Sequence, residues 1–139
     1  MAGKTVAIMG GGVGGLVAAN RLRQLLPREH RVVVVDRNPI HAFAPAFTWV
    51  MLGWQKPARI VGDLRHLRRR GIDVLLDEVT AIDLERRRLV LTRQEVPFDY
   101  LVLSPGVEYG TGDIPGLARA WTFYHLDGAE AVSYTHLTL

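Results

Sequence analysis

The chain has 139 residues, 48% hydrophobic and 22% charged, an ordinary globular composition at a length for one domain or part of one. It contains no cysteine, which excludes disulfides and thiolate-held metals and fits a reducing, cytoplasmic setting. The net charge of +3 comes mainly from arginines at residues 65–70 and 86–88. These fall on a helix end and in a hairpin turn, a solvated surface and not the basic, aromatic-interleaved face that nucleic-acid binding needs.

Residues 5–9 form an apolar strand that runs into Met9-Gly10-Gly11-Gly12-Val13-Gly14-Gly15. A helix over about residues 14–26 follows, with Gly15, Ala18, Ala19, Leu22, Leu25 and Leu26 as its inward stripe, and Pro27 ends it. Residues 31–36 form a second strand whose four consecutive valines read as buried on both faces of a parallel sheet, and Asp36 closes it. Strand, glycine turn, helix, strand and acid in that order build a dinucleotide pocket. Gly10 allows the sharp turn off the strand, Gly12 lets the backbone approach a pyrophosphate, and Gly15 lets the helix pack closely. The N–H groups of the first helical turn, at the positive end of the dipole, point at the phosphates, while Asp36 accepts from ribose hydroxyls. A glycine-rich turn without a ligand is the alternative.

Asn38-Pro39 opens a loop, and the aromatic segment 41–54 carries a short helix after Pro45. Pro57 begins a helix over about 58–69 with Ile60, Leu64 and Leu67 inward, closed by Gly71. A strand at 72–76 precedes alternating segments at 78–84, 88–93 and 96–98, a small antiparallel meander. A further apolar strand at 99–103 ends in Ser104-Pro105-Gly106, Ile114-Pro115-Gly116-Leu117 is a turn, and a helical pattern begins near Leu126. No secretory signal or internal repeat is present, and no segment reaches the roughly 18 apolar residues of a membrane span. The expected fold is α/β, a Rossmann-like parallel sheet with a three-stranded antiparallel β-meander crossover. A nicotinamide-binding Rossmann domain continues βαβ after its second strand, so the meander favours FAD as the dinucleotide.

Three features carry a family resemblance: the glycine run with Asp36, the meander, and Tyr100-Leu101-Val102-Leu103-Ser104-Pro105-Gly106. Together they resemble the N-terminal FAD-binding segment of the two-dinucleotide-binding-domain flavoproteins, the pyridine nucleotide-disulfide oxidoreductase type. Ser104-Pro105-Gly106 stands where the usual form is Ala-Thr-Gly, and is similar to a variant in sulfide dehydrogenases. Phe43-Ala44-Pro45-Ala46-Phe47-Thr48-Trp49 and Gly53-Trp54-Gln55-Lys56-Pro57, followed by Asp63-Leu64, are similar to sulfide:quinone oxidoreductases and their NADH:quinone relatives. The resemblance covers about residues 4–130. It implies that Gly10, Gly11, Gly12, Val13, Gly14 and Gly15 contact the FAD pyrophosphate and Asp36 the adenosine ribose. Arg37 would lie beside the adenine, Val79 would offer it its backbone, Ala44 and Pro45 would run near the flavin, and Ser104, Pro105 and Gly106 would close over the cofactor.

The resemblance further implies electron transfer from sulfide or NADH through flavin to a quinone or other small acceptor. Peripheral contact with the inner face of a membrane would be made through C-terminal regions absent here. Such enzymes are far longer than 139 residues. The expectation is therefore an incomplete FAD-binding domain at residues 1–131, inactive alone. No catalytic residue and no metal ligand is assigned, and His41 and His125 read as structural or surface residues. Residues 132–139 do not continue the preceding helical pattern and look like a translated sequencing adapter, a non-native tail. An NAD(P)-binding Rossmann dehydrogenase domain and an inactive truncated nucleotide-binding module are the alternatives.

Overall fold

Val32, Val33, Val34 and Val35 are each at most 1% exposed, and that double burial sets the layering around them. The computed structural model describes residues 3–108, 110 and 114–137, those of Ala118, His136 and Leu137 by backbone only. They fall into two compact units: Met1–His41 with Asp63–Gly106, and Ala42–Gly62 with Val107–Leu139.

In the first unit, β1 (Thr5–Met9), β2 (Arg31–Asp36), β5 (Asp73–Leu76) and β9 (Tyr100–Leu103) form a parallel sheet in the order β5-β2-β1-β9. The short strands β3 (Ile40–Ala42) and β4 (Val61–Asp63) pair separately. Because successive strand residues point to opposite faces, Val32 and Val34 pack with Ile8, Val74 and Ala19 on one side of the sheet. Ala19 belongs to helix α1 (Val13–Leu25). Val33 and Val35 pack on the other side with Ala7, Leu89, Leu91, Val96 and Phe98. Apart from Ala7 of β1, those partners come from the antiparallel meander β6 (Val79–Asp83), β7 (Arg88–Leu91) and β8 (Glu95–Pro97) and the residue after it. Burial of each valine contributes about 1.5–3 kcal/mol relative to exposure, so neither face can be stripped without cost.

The expected strands, α1 and meander are present, with three departures. Leu25 is 63% exposed, and the buried position near the end of α1 belongs to Arg23. Arg23 turns back on the helix terminus, donating Nη1 to the His30 carbonyl (2.7 Å) and Nη2 to those of Leu26 (2.8 Å) and Pro27 (2.6 Å). A cation that bonds carbonyls at and just beyond the negative end of the helix outcompetes a leucine there. The helix expected over 58–69 is replaced by a 3₁₀ turn at Pro57–Arg59, β4, and a 3₁₀ helix at Leu64–Arg70. Gly62 is a poor interior helix residue, and the Asp63 carboxylate accepts from the Arg65 N–H at 2.8 Å, starting a new helix there. Leu64 and Leu67 are buried as expected, and Gly71 closes the segment in the left-handed region at φ +77.

In the second unit, α2 (Phe47–Met51) and α3 (Leu126–Leu137) enclose a small core of Phe47, Val50 and Ala129, with Leu126, Met51, Ile60 and Ala42 against it. The third departure lies here. The helical pattern does not stop before residue 132: α3 continues to Leu137, with Ala129 and Val132 both buried three residues apart. Residues 138–139 lie outside the described residues.

Asp99 ties the start of β9 to the start of β1. Its carboxylate accepts from the Thr5 N–H (2.8 Å) and pairs with Lys4 (3.0 Å), and its own N–H donates to the Thr5 carbonyl (2.9 Å). The Thr5 hydrogen bond first, and Lys4 second, hold this carboxyl below its ordinary range. Its stabilising contribution is therefore complete above the unfolded-state value of about 3.9 and is lost as pH falls through the lower folded-state value. Asp99→Ala should lower the melting temperature at pH 7, and the gap to the parent chain should close in acid below about pH 4. A second test concerns the β1–α1 contact, where a Cβ on Gly15 would lie 1.9 Å from the Gly10 carbonyl oxygen. Gly15→Ala should cost about 2 kcal/mol or more in denaturant unfolding, because helix and strand must separate.

Candidate functional site

Residues 10–15 carry the chain from β1 into α1 at the carboxyl ends of the parallel strands. Gly10 has φ +102 and donates its N–H to the Val35 carbonyl at 2.8 Å. A Cβ there would lie 2.0 Å from the Ser104 carbonyl oxygen. Only glycine passes between the end of β2 and the turn after β9 at this point. Gly11 is buried, and its added Cβ would meet Leu64 Cδ1 at 2.4 Å. A Cβ on Gly14 would meet the Ser104 hydroxyl at 2.7 Å. Gly12 is different, since its Cβ would meet nothing within 4 Å and its φ of −70 is open to any residue. The chain itself gives no reason for glycine there; the clear space lies outside the start of α1.

That helix start is built to receive an anion. Gly12 is its N-cap without a side-chain cap, and the first turn carries no acid. Among the described residues, no acceptor takes the N–H groups of Gly12, Val13 or Gly14. Unpaired donors at the positive end of a 13-residue helix suit a phosphate. Uncapped donors together with the space beside Gly12 therefore fit the pyrophosphate of a dinucleotide.

Asp36 does more than the sequence suggested. Its Oδ2 accepts from the Gly11 N–H at 2.6 Å and its Oδ1 from the Asn38 N–H at 2.7 Å. The carboxylate thus braces the glycine turn, and each oxygen keeps acceptor capacity for a ribose hydroxyl. Beside it is a cavity of about 180 Å³, lined by Met9, Gly10 and Pro105, by Val35, Asp36 and Arg37, and by Asp77, Glu78 and Val79. Arg37 reaches Glu78 at 3.4 Å, an exposed pair. Ser104 donates its N–H to the Met9 carbonyl at 2.8 Å, and Gly106 turns the chain at φ +79.

The first unit therefore brings together the glycine run, Asp36, Arg37, Val79, Ser104 and Pro105. Ala44 and Pro45 belong to the second unit, exposed in a 3₁₀ turn at Ala44–Ala46, and do not line this cavity. Sequence reasoning missed Asp77 and Glu78, because two acids after a strand read as surface. The signal was present in Asp77 itself, which follows an apolar strand with no turn residue between. Among the described residues, no cluster of side chains could hold a metal ion, and no helix is long and apolar enough to cross a membrane.

Comparisons with known proteins give the family of the chain. The family model described as pyridine nucleotide-disulphide oxidoreductase matches residues 4–138. The sulfide-quinone reductase of Aquifex aeolicus is 30% identical over 105 residues, 74% of this chain and 24% of that protein. The demethylphylloquinone reductase of a Synechocystis strain is 33% identical over 124 residues, 81% of this chain and 30% of its own length. The X-ray structure of the Aquifex aeolicus sulfide:quinone oxidoreductase superposes with a TM-score of 0.89 at 25% identity, covering 98% of this chain and 32% of that one. The chain thus spans 24% to 32% of the length of these proteins. A parallel sheet crossed by a meander, a glycine turn answered by an acid, and a family match over nearly every residue lead to one assignment: the chain belongs to the pyridine nucleotide-disulphide oxidoreductase family of flavoproteins.

Proposed function

We propose that this chain is the FAD-binding part of an oxidoreductase that passes electrons from sulfide or NADH to a quinone-type acceptor. One observation carries the proposal: the uncapped start of α1, with clear space beside Gly12, adjoins a cavity walled by Asp36 and Val79. FAD, when bound, supplies two-electron redox chemistry. The chain's own part is binding and orientation. The free N–H groups of Gly12, Val13 and Gly14 hold the pyrophosphate, Gly10, Gly11 and Gly15 shape the turn around it, and Asp36 accepts from the adenosine ribose. Arg37 and Val79 border the adenine, while Ser104, Pro105 and Gly106 close the turn over the cofactor. The assignment of Ala44 and Pro45 to the flavin rests on the sequence resemblance alone.

The names of the two relatives, a sulfide-quinone reductase and a demethylphylloquinone reductase, support a quinone as acceptor. Support for sulfide as donor comes from the first of these, and for NADH from the sequence resemblance. We place the protein in the cytoplasm, with membrane contact made by parts of a longer polypeptide. Residues 1–131 are then its FAD-binding segment. The adapter-derived tail at 132–139 rests on the sequence of those residues alone; the continuation of α3 as far as Leu137 does not support it. A genomic nucleotide sequence with no adapter match across that junction would remove the tail assignment. A crossover by meander, in place of a continued βαβ, is what sets the FAD reading above a nicotinamide-binding domain.

Two variants separate binding from folding. Equilibrated with FAD and passed through gel filtration, the 139-residue chain should carry flavin absorbance. Gly12→Ala should abolish that absorbance while lowering stability by no more than an N-cap change, about 1 kcal/mol. A folded chain that elutes colourless and is instead stabilised by NAD would overturn the proposal. Asp36→Ala should act on both properties. It should weaken FAD binding by about ten- to a hundredfold, the worth of charge-assisted hydrogen bonds, and should lower the melting temperature because Gly11 loses its brace.

A further inference from the structure

We infer that Asp77, held by Arg93, is a positioning residue for the adenine nucleotide, an inference that rests on the FAD-binding proposal above. Asp77 follows β5, and its side chain is only 4% exposed. One carboxylate there gathers three donors. Oδ1 accepts from the Glu78 N–H at 2.9 Å, and Oδ2 accepts from the Arg93 N–H at 3.2 Å and faces the Arg93 guanidinium Nε at 3.3 Å. The same guanidinium donates to the Leu76 carbonyl through Nη2. The Asp77 N–H donates to the Asp36 carbonyl at 3.0 Å, and the Thr92 N–H to the Glu78 carbonyl at 3.0 Å. The ends of β2 and β5, the start of β6 and the turn after β7 therefore meet at Asp77 and its partner Arg93.

A buried carboxylate is an expensive way to join strands. It must be stripped of water, and its counter-ion Arg93 is 70% exposed and so only weakly compensating. What this corner achieves is placement. Glu78 and Val79, the residues directly after Asp77, are cavity wall, together with Asp36 and Arg37. The β6–β7 pairing shifts register between Val79 and Ala81, so the Val79–Leu91 pair at the start of β6 is set apart from the regular ladder and calls for a further restraint. Asp77 supplies that restraint from outside the ladder: it fixes the Glu78 N–H and, through Arg93, the turn that bonds the Glu78 carbonyl. Glu78 in turn meets Arg37. A ligand in this cavity would therefore find the backbone of residues 78–79 preset at the distance Asp77 dictates.

The test uses the 139-residue chain and three competitors for its site: FAD, AMP and inorganic pyrophosphate. Asp77→Asn preserves shape but turns an amide donor toward groups that donate. It should weaken FAD and AMP by about tenfold, the scale of one charge-assisted hydrogen bond, and leave competition by pyrophosphate unchanged. Affinities are read well below each variant's melting temperature. Leu89→Ala, which opens the core under the meander, should lower the melting temperature without moving any of the three affinities. Arg93→Met keeps both backbone donors on Asp77 and should lose less than Asp77→Asn, and the double variant should be no weaker than Asp77→Asn alone. Unchanged FAD and AMP affinity in Asp77→Asn would overturn the inference and leave the FAD proposal standing, and so would an equal loss for pyrophosphate. A parent chain that binds neither FAD nor AMP would overturn both.

Discussion

The structure of the first unit depends on how closely three stretches of backbone approach one another at Gly10. Its N–H bonds the end of β2, the Ser104 carbonyl occupies the place of its missing Cβ, and its own carbonyl occupies that of Gly15. A side chain at either glycine would push β1, α1 and the turn after β9 apart. With that contact made, the helix start is delivered to the carboxyl ends of the strands, and Ser104 and Pro105 arrive beside it. The phosphate-facing donors and the cavity at Asp36 are consequences of this packing, not separate devices.

The sheet then makes a demand on each face. Its central strand is apolar on both, so one face must receive α1 and the other the meander. The meander's place brings its own ends to the cavity. Val79 starts it beside Asp36, and the chain after it enters β9 and the Ser104 turn. Apolar burial and site construction are therefore the same event, and the polar corner at Asp77 refines a position that the core has already set approximately. Asp36 shows the same economy, since a single carboxylate braces Gly11 and Asn38 while keeping lone pairs for a ligand.

Most strands could be read directly because their signals are local. Four successive valines specify a strand buried on both faces, and the alternation across 78–98 specifies half-buried hairpins. The site was legible in its glycines and in Asp36 for a similar reason, since each position answers a steric or charge requirement within a short span of chain. Segment 57–70 was not legible. Its leucines have helical spacing, but Gly62 and the Asp63–Arg65 cap divide it, and a cap competes with a helix only where its side chain and backbone meet. Arg23 was missed because its partners are carbonyls, which no side-chain pattern displays.

The sequence by itself determined the order of β1, α1, β2, β5, the meander and β9, the apolar faces of the sheet, the glycine turn and the acid that answers it. These follow from backbone sterics and from periodicity, which act over a few residues. Tertiary structure alone decided which glycines serve packing and which leaves space for a ligand, because that depends on whether Ser104, Leu64 or nothing faces the missing Cβ. It alone made Asp77 a buried junction in place of a surface acid. Arg93 is distant in sequence, and only the closed meander brings its guanidinium to the end of β5.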